Sequence, residues 1–162
     1  MATEHRLTCA LRELIHLQRT AALGTLDADG LPFVSLVPYA VDTGQRCLVI
    51  HVSGLAAHTG NLQREPRVSL LVSQSAAAGE PVHALPRVTL QATAEALAPD
   101  TPEALACRAV YLQRFPEAEP LTALGDFRFV RLQVQAARQV AGFGAARSLE
   151  RDEVLRAFGP AP

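Results

Sequence analysis

The segment Ile50–Leu71, IHVSGLAAHTGNLQREPRVSLL, reads as a buried strand, a short helix and a second strand with almost no connecting residues. Ser53 stands before Gly54-Leu55-Ala56, where a side-chain oxygen can accept from the backbone N–H groups of a first helical turn. A helix opening so soon after a strand turns its remaining donors, and the positive end of its dipole, toward any nearby anion. His58, Thr59 and Asn61 follow within the next two turns. Two readings stay open: an anion site suited to phosphate, or a short crossover helix with an ordinary serine cap and polar residues facing water. Local pattern alone favours the second.

Upstream, Leu7, Leu11, Leu14 and Ile15 fall at helical spacing between Glu4 and Arg19, so residues 1–19 are expected to hold an amphipathic helix. Thr20–Leu26 and Leu31–Tyr39 are two strands joined by Asp27-Ala-Asp-Gly30, whose Asp-Gly supplies the positive-φ position of a tight hairpin. Pro32 and Pro38 cannot donate to a ladder, which places the second strand at an edge or interrupts it. Arg46–Val52 is apolar on both faces, as in a strand buried between layers. Downstream, Arg67–Ser73 and Arg87–Ala94 alternate as half-buried strands on either side of a loop over 74–85. Thr101-Pro102-Glu103 is a helix start, with Thr as cap and Pro at the first position, and Phe115-Pro116 is the stop. Phe127–Val134 and Arg138–Gly142 read as final strands, and Ser148–Phe158 as a closing helix, with 147–162 as C-terminal helix and tail. Strands outnumber helices and connect by hairpins, which favours a closed or partly closed antiparallel barrel over a doubly wound sheet.

The totals bound the function. A chain of 162 residues, 49% hydrophobic and 19% charged, suits a single domain over 1–162 with its own core. A net charge of -1 gives no electrostatic ground for nucleic acid, and the apolar runs fall short of a membrane span. The start MATEHRLTCALREL carries charges where a secretory signal needs an unbroken apolar run, so a cytoplasmic location is expected. Cys9, Cys47 and Cys107 are far apart in apolar segments without CxxC spacing, which points to buried free thiols and to no structural metal. All 15 basic residues are arginine. Without lysine, Schiff-base and P-loop chemistry are excluded.

The ordered motifs AALGTLDADGLPFVSLVPYAVD, LVIHVSGLAAHTGNLQREPRVSLLV, LPRVTLQATAEAL, YLQRFPEA, DFRFVRL and VAGFGAA resemble the flavin-binding split barrels related to pyridoxamine 5'-phosphate oxidase, in the branch that includes heme-utilisation proteins. The resemblance runs from about Ala21 to about Ala146. It implies a mainly β (α+β) fold, a six-stranded antiparallel split β-barrel with peripheral helices, forming a homodimer with FMN at the subunit interface. It also implies that the backbone of Val34, Ser35, Leu36 and Val37 follows the flavin ring. His51, Val52, Ser53, His58, Thr59 and Arg87 would meet the ribityl and phosphate end, and Gly142, Phe143 and Gly144 would close over the site. A helix N-terminus, a histidine and an arginine can together neutralise a phosphate. Without the resemblance, Arg87 would be a surface ion pair, His58 a helix-border residue, His51 a satisfied core histidine, and the glycines turn residues.

Two departures bear on the reaction. The oxidase itself uses an Arg-Lys pair where this chain has Ala57 and His58, which argues against vitamin B6 oxidation. Heme-degrading relatives are expected to ligate iron through a histidine near the C-terminus, yet no histidine follows His83. The expectation is therefore an FMN-binding flavoprotein, an oxidoreductase acting on a small molecule, with catalytic residues unassigned. The alternatives are a heme-binding or heme-degrading protein, with His51, His58 or His83 on iron, and a non-catalytic flavin-binding module. Deazaflavin in place of FMN also stays open.

Overall fold

The computed structural model describes residues 6–162, so the first residues of the helix expected from Glu4 lie outside the described range. Helix α1, Arg6–Leu17, buries Leu11, Leu14 and Ile15 along one face. The last carbonyls of a helix need partners outside it. Tyr39 supplies one, its fully buried side chain donating from the hydroxyl to the Ile15 carbonyl at 2.6 Å.

Strands β1, Thr20–Leu26, and β2, Pro32–Pro38, form the expected hairpin. Asp27 Oδ1 accepts from the N–H groups of Asp29 and Leu31, and Gly30 takes the left-handed conformation that a side chain would strain, with φ 79°. The chain continues through β3 (Ala40–Asp42), β4 (Cys47–Ser53), α2 (Ala57–Arg64), β5 (Arg67–Ser73) and β6 (Arg87–Ala96). Then follow α3 (Pro102–Arg114), the short α4 (Glu119–Thr122), β7 (Phe127–Val140), β8 (Ala146–Glu150) and α5 (Arg151–Arg156). The strands pair antiparallel in the order β2-β1-β5-β6-β7-β4-β3, with β8 alongside β7.

The inward side chains, among them Leu23, Leu48, Ile50, Leu70, Leu90 and Leu132, meet α1 and α5 in the main core. On the outer face of β4 and β7, α3 lays Cys107, Tyr111 and Phe115 against Val49 and Phe129 in a second core. That second core is why β4 is apolar on both faces. Thr101 caps α3 as expected, its hydroxyl accepting from the Ala104 N–H at 3.2 Å. Cys47 and Cys107 are buried free thiols, pushed up to about 12 and about 11 by burial, while the free Cys9 is partly buried.

The expected mainly β, antiparallel barrel-like fold with peripheral helices is the fold the chain adopts; the strand count and two boundaries differ. Eight strands replace six, because the three-residue β3 and the five-residue β8 join the sheet. Residues Ala146–Glu150, expected partly as helix, fold back on β7 and bury Leu149. The two strands expected over 127–142 are one strand of 14 residues. A bulge at Gln135 on β7, opposite Gln91 and Ala92 of β6, shifts the register, so the inward set on β7 passes from Val130, Leu132 and Val134 to Ala137 and Gln139.

Candidate functional site

The junction from β4 to α2 is tied down by one distant residue. Ser53 Oγ accepts from the Leu55 N–H at 3.1 Å and donates to Asp126 Oδ2 at 2.9 Å, and the Gly54 N–H donates to the Asp126 carbonyl at 2.7 Å. A Cβ at Gly54 would lie 3.1 Å from that carbonyl oxygen, so the approach favours glycine. The Ser53 carbonyl accepts from the Ala56 N–H and from the Thr59 hydroxyl. Ser53 therefore holds a turn ahead of the helix and is not its cap. The N-cap is Ala56, and no side chain caps α2.

From this turn α2 points His58 at β2. The His58 Nδ1 and Ser35 Oγ are 2.9 Å apart, and burial lowers the His58 pKa, so the ring is neutral near pH 7 with Nε2 free of protein partners among the described residues. Two buried residues fix the helix itself. Asn61 Nδ2 donates to Thr25 Oγ1 at 3.0 Å, and Asn61 Oδ1 accepts from Arg64 at 2.8 Å. Asn61 and Asp126 were not among the expected site residues. Their distance from their partners in sequence leaves no local signal for the roles they play.

The remaining expected residues take different positions. On β2, Val34 and Leu36 are 66% and 71% exposed, while Val37 is a core residue, as is Val52 on β4. Leu36, Ala22, Leu71 and Thr89 follow one another across four strands on the outer face of the sheet. Arg87 starts β6 beside them and donates to the carbonyls of Leu85 and His83, with no carboxylate partner among the described residues. Gly142 and Gly144, with φ 136° and 72°, form the turn between β7 and β8 and leave Phe143 76% exposed. His51 faces away from the main core, toward α3, stacked on Phe129 at 4.3 Å between ring centres.

Within one chain these residues fall into separate groups. His51 pairs with Phe129 near one end of β7, whereas Arg87 pairs with Val140 at the other. Eleven positions at about 3.3 Å each put roughly 35 Å of strand between the two pairings. The hydrogen-bonded pair Ser35–His58 lies on the β2–α2 side, while Arg87 and Phe143 cluster around the far end of β7.

The family described as pyridoxamine 5'-phosphate oxidase matches residues 7–141. The chain belongs to the pyridoxamine 5'-phosphate oxidase family. Among relatives of this family member, heme oxygenase HutZ of Vibrio cholerae serotype O1 is 30% identical over 153 residues, 93% of this chain and 85% of that one. The crystal structure titled as HutZ, the heme storage protein from Vibrio cholerae, has 30% identity and a TM-score of 0.75, over 82% of this chain and 94% of that one. The heme binding protein from Mycobacterium smegmatis has 30% identity and a TM-score of 0.84, over 99% of this chain. This chain spans 63% of the length of that mycobacterial protein.

At Ala57 and His58 this member of the pyridoxamine 5'-phosphate oxidase family offers α2 no cation. Ala57 is exposed, and His58 is an uncharged imidazole oriented by Ser35. A neutral imidazole ligates a metal through its unprotonated nitrogen or donates its one N–H to an acceptor.

Proposed function

We propose that this protein binds heme on the β2–α2 face, with His58 Nε2 presented to the iron. The observation that carries the reading is the common element in the names of its relatives, heme oxygenase, heme storage protein and heme binding protein, each 30% identical to this chain. The local chemistry fits a metalloporphyrin. With Nδ1–H donating to the Ser35 hydroxyl, Nε2 would be the unprotonated nitrogen that a metal takes. Exposed Phe33, on the same side of β2 as Ser35, and exposed Leu55, ahead of α2, offer apolar contact. Of the other described histidines, His16 Nε2 is engaged by the Gly159 carbonyl and His51 faces α3. Heme, when bound, would supply the redox centre; the chain's own residues would orient it through His58 and shield it from water. The site is proposed to act in the cytoplasm.

We also infer a homodimer that completes this site. Val34, Leu36 and Leu71 are 66%, 71% and 41% exposed on one sheet face, a contiguous apolar surface of the kind that marks an interface. Within one chain Arg87 and Phe143 lie apart from His58, and the second protomer is inferred to supply them. FMN is the second reading, supported by the family itself and by the absence of a carboxylate on Arg87 among the described residues.

Titration of the purified protein with hemin tests the main reading. A saturable Soret band distinct from free hemin is expected, weakened or shifted in His58→Ala and unchanged in His83→Ala. A spectrum identical to free hemin at every ratio would refute heme binding, and binding indifferent to His58→Ala would remove its role. Flavin absorbance in the purified protein, without hemin binding, would favour FMN.

A further inference from the structure

A second cavity, of about 380 Å³, lies between α3, the α4 segment and the strands β4 and β7, on the opposite side of β4 from the main core. Its volume is within the range of small-ligand pockets. His51 and Phe127 form an aromatic wall, their ring centres 4.8 Å apart and inclined by 32°, with Leu97 and Leu105 adding apolar surface. Neither ring nitrogen of His51 has a hydrogen-bond partner among the described residues. Two arginines, Arg108 and Arg128, line the same space. Arg128 spends Nη1 on the carbonyls of Gly125 and Phe127, both at 2.7 Å, which leaves Nε and Nη2 without protein acceptors among the described residues. Arg108 donates Nε to Thr122 and has a loose, exposed contact with Glu119 at 3.7 Å. Asp100 is the one carboxylate on the lining, so the lining is net cationic.

We propose that this cavity binds a small aromatic anion, a single planar ring carrying one phosphate or carboxylate group. The ring would stack on Phe127. The anionic group would take the free donors of Arg128 and Arg108, and the His51 N–H would satisfy a further acceptor. A planar ring matches the aromatic face of Phe127, and a planar guanidinium matches an oxyanion with paired donors. The site does not involve His58 or β2, so it stands or falls independently of heme binding.

Phenyl phosphate, benzoate and benzyl alcohol, titrated into the full-length protein, separate the contributions. The readout is NMR of the histidine ring nitrogens and of amides in β4 and α3. Phenyl phosphate and benzoate are expected to bind saturably and shift the His51 ring signals, with benzyl alcohol at least tenfold weaker. Arg128→Gln is expected to weaken both anions about tenfold, the equivalent of about 1.4 kcal/mol, and to leave benzyl alcohol unchanged; Arg108→Gln gives an independent second variant. Each variant is compared by its thermal transition and by its hemin titration, which must match wild type. The proposal is overturned if millimolar anions leave the His51 signals unmoved. It is equally overturned if benzyl alcohol binds as well as the anions, or if both folded arginine variants bind the anions like wild type.

Discussion

His51 provides a direct test of how the second core is built. Burial lowers its pKa from the ordinary 6.5 to about 4, and no neighbouring acid holds the charged form. The folded protein keeps the ring neutral down to about pH 4, whereas the unfolded chain takes up a proton near 6.5. Between these values the unfolded state binds more protons, so stability is present above pH 6.5 and falls as the pH drops toward 4. At about 1.4 kcal/mol per pH unit the full gap sets an upper bound of about 3.4 kcal/mol. The side chain is only half-buried, and screening by water reduces the figure to roughly 1–2 kcal/mol. His58 shifts in the same direction and carboxylates add their own slopes, so the comparison must be with a variant that removes His51 alone. His51→Phe keeps an aromatic ring against Phe127 and Phe129. Urea unfolding at about pH 7 and about pH 4.5 should show wild type losing roughly 1–2 kcal/mol more than the variant, or about 0.5–1 M in midpoint at an m-value near 2 kcal/mol/M. Equal losses in the two proteins would refute the assignment of His51 as a ring held neutral by burial.

Tyr39→Phe should cost about 1–2 kcal/mol, because the Ile15 carbonyl at the end of α1 loses its hydroxyl donor in a fully buried setting. Calorimetry should show the transition lowered by roughly 2–6 °C, and an unchanged transition would remove Tyr39 as the partner that closes α1. Leu36→Asp places a charge in the exposed apolar row of β2, and in a two-fold interface each substitution counts twice. Sedimentation should then show a monomer where the parent protein is a dimer, and a monomeric parent would refute the interface.

The features visible in the sequence were those whose partners are close in the chain. The Asp27–Gly30 turn and the Thr101 cap are complete within five residues, so composition alone places them correctly. β7 was divided because its bulge is specified by the pairing with β6, and no residue on β7 announces it. Ser53 was read as a helix cap because its real partner, Asp126, is 73 residues away. The side to which His51 points was hidden for a different reason. A strand apolar on both faces has no alternation to reveal direction, and β4 is such a strand because α3 covers its outer surface.

The same asymmetry explains why the family was more legible than the chemistry. A fold class needs only the order of strands and turns, each encoded locally. The choice between a phosphate-bearing flavin and heme depends on what one imidazole touches across 23 residues. Ser35 and His58 are individually unremarkable in the sequence: a serine in an edge strand and a histidine on the border of a short helix. Their hydrogen bond turns them into an oriented, neutral imidazole. With alanine and histidine in place of a cationic pair, charge at the start of α2 gives way to a directional ligand. The family fold is kept, while the proposed heme site depends on which nitrogen of this one imidazole carries the proton.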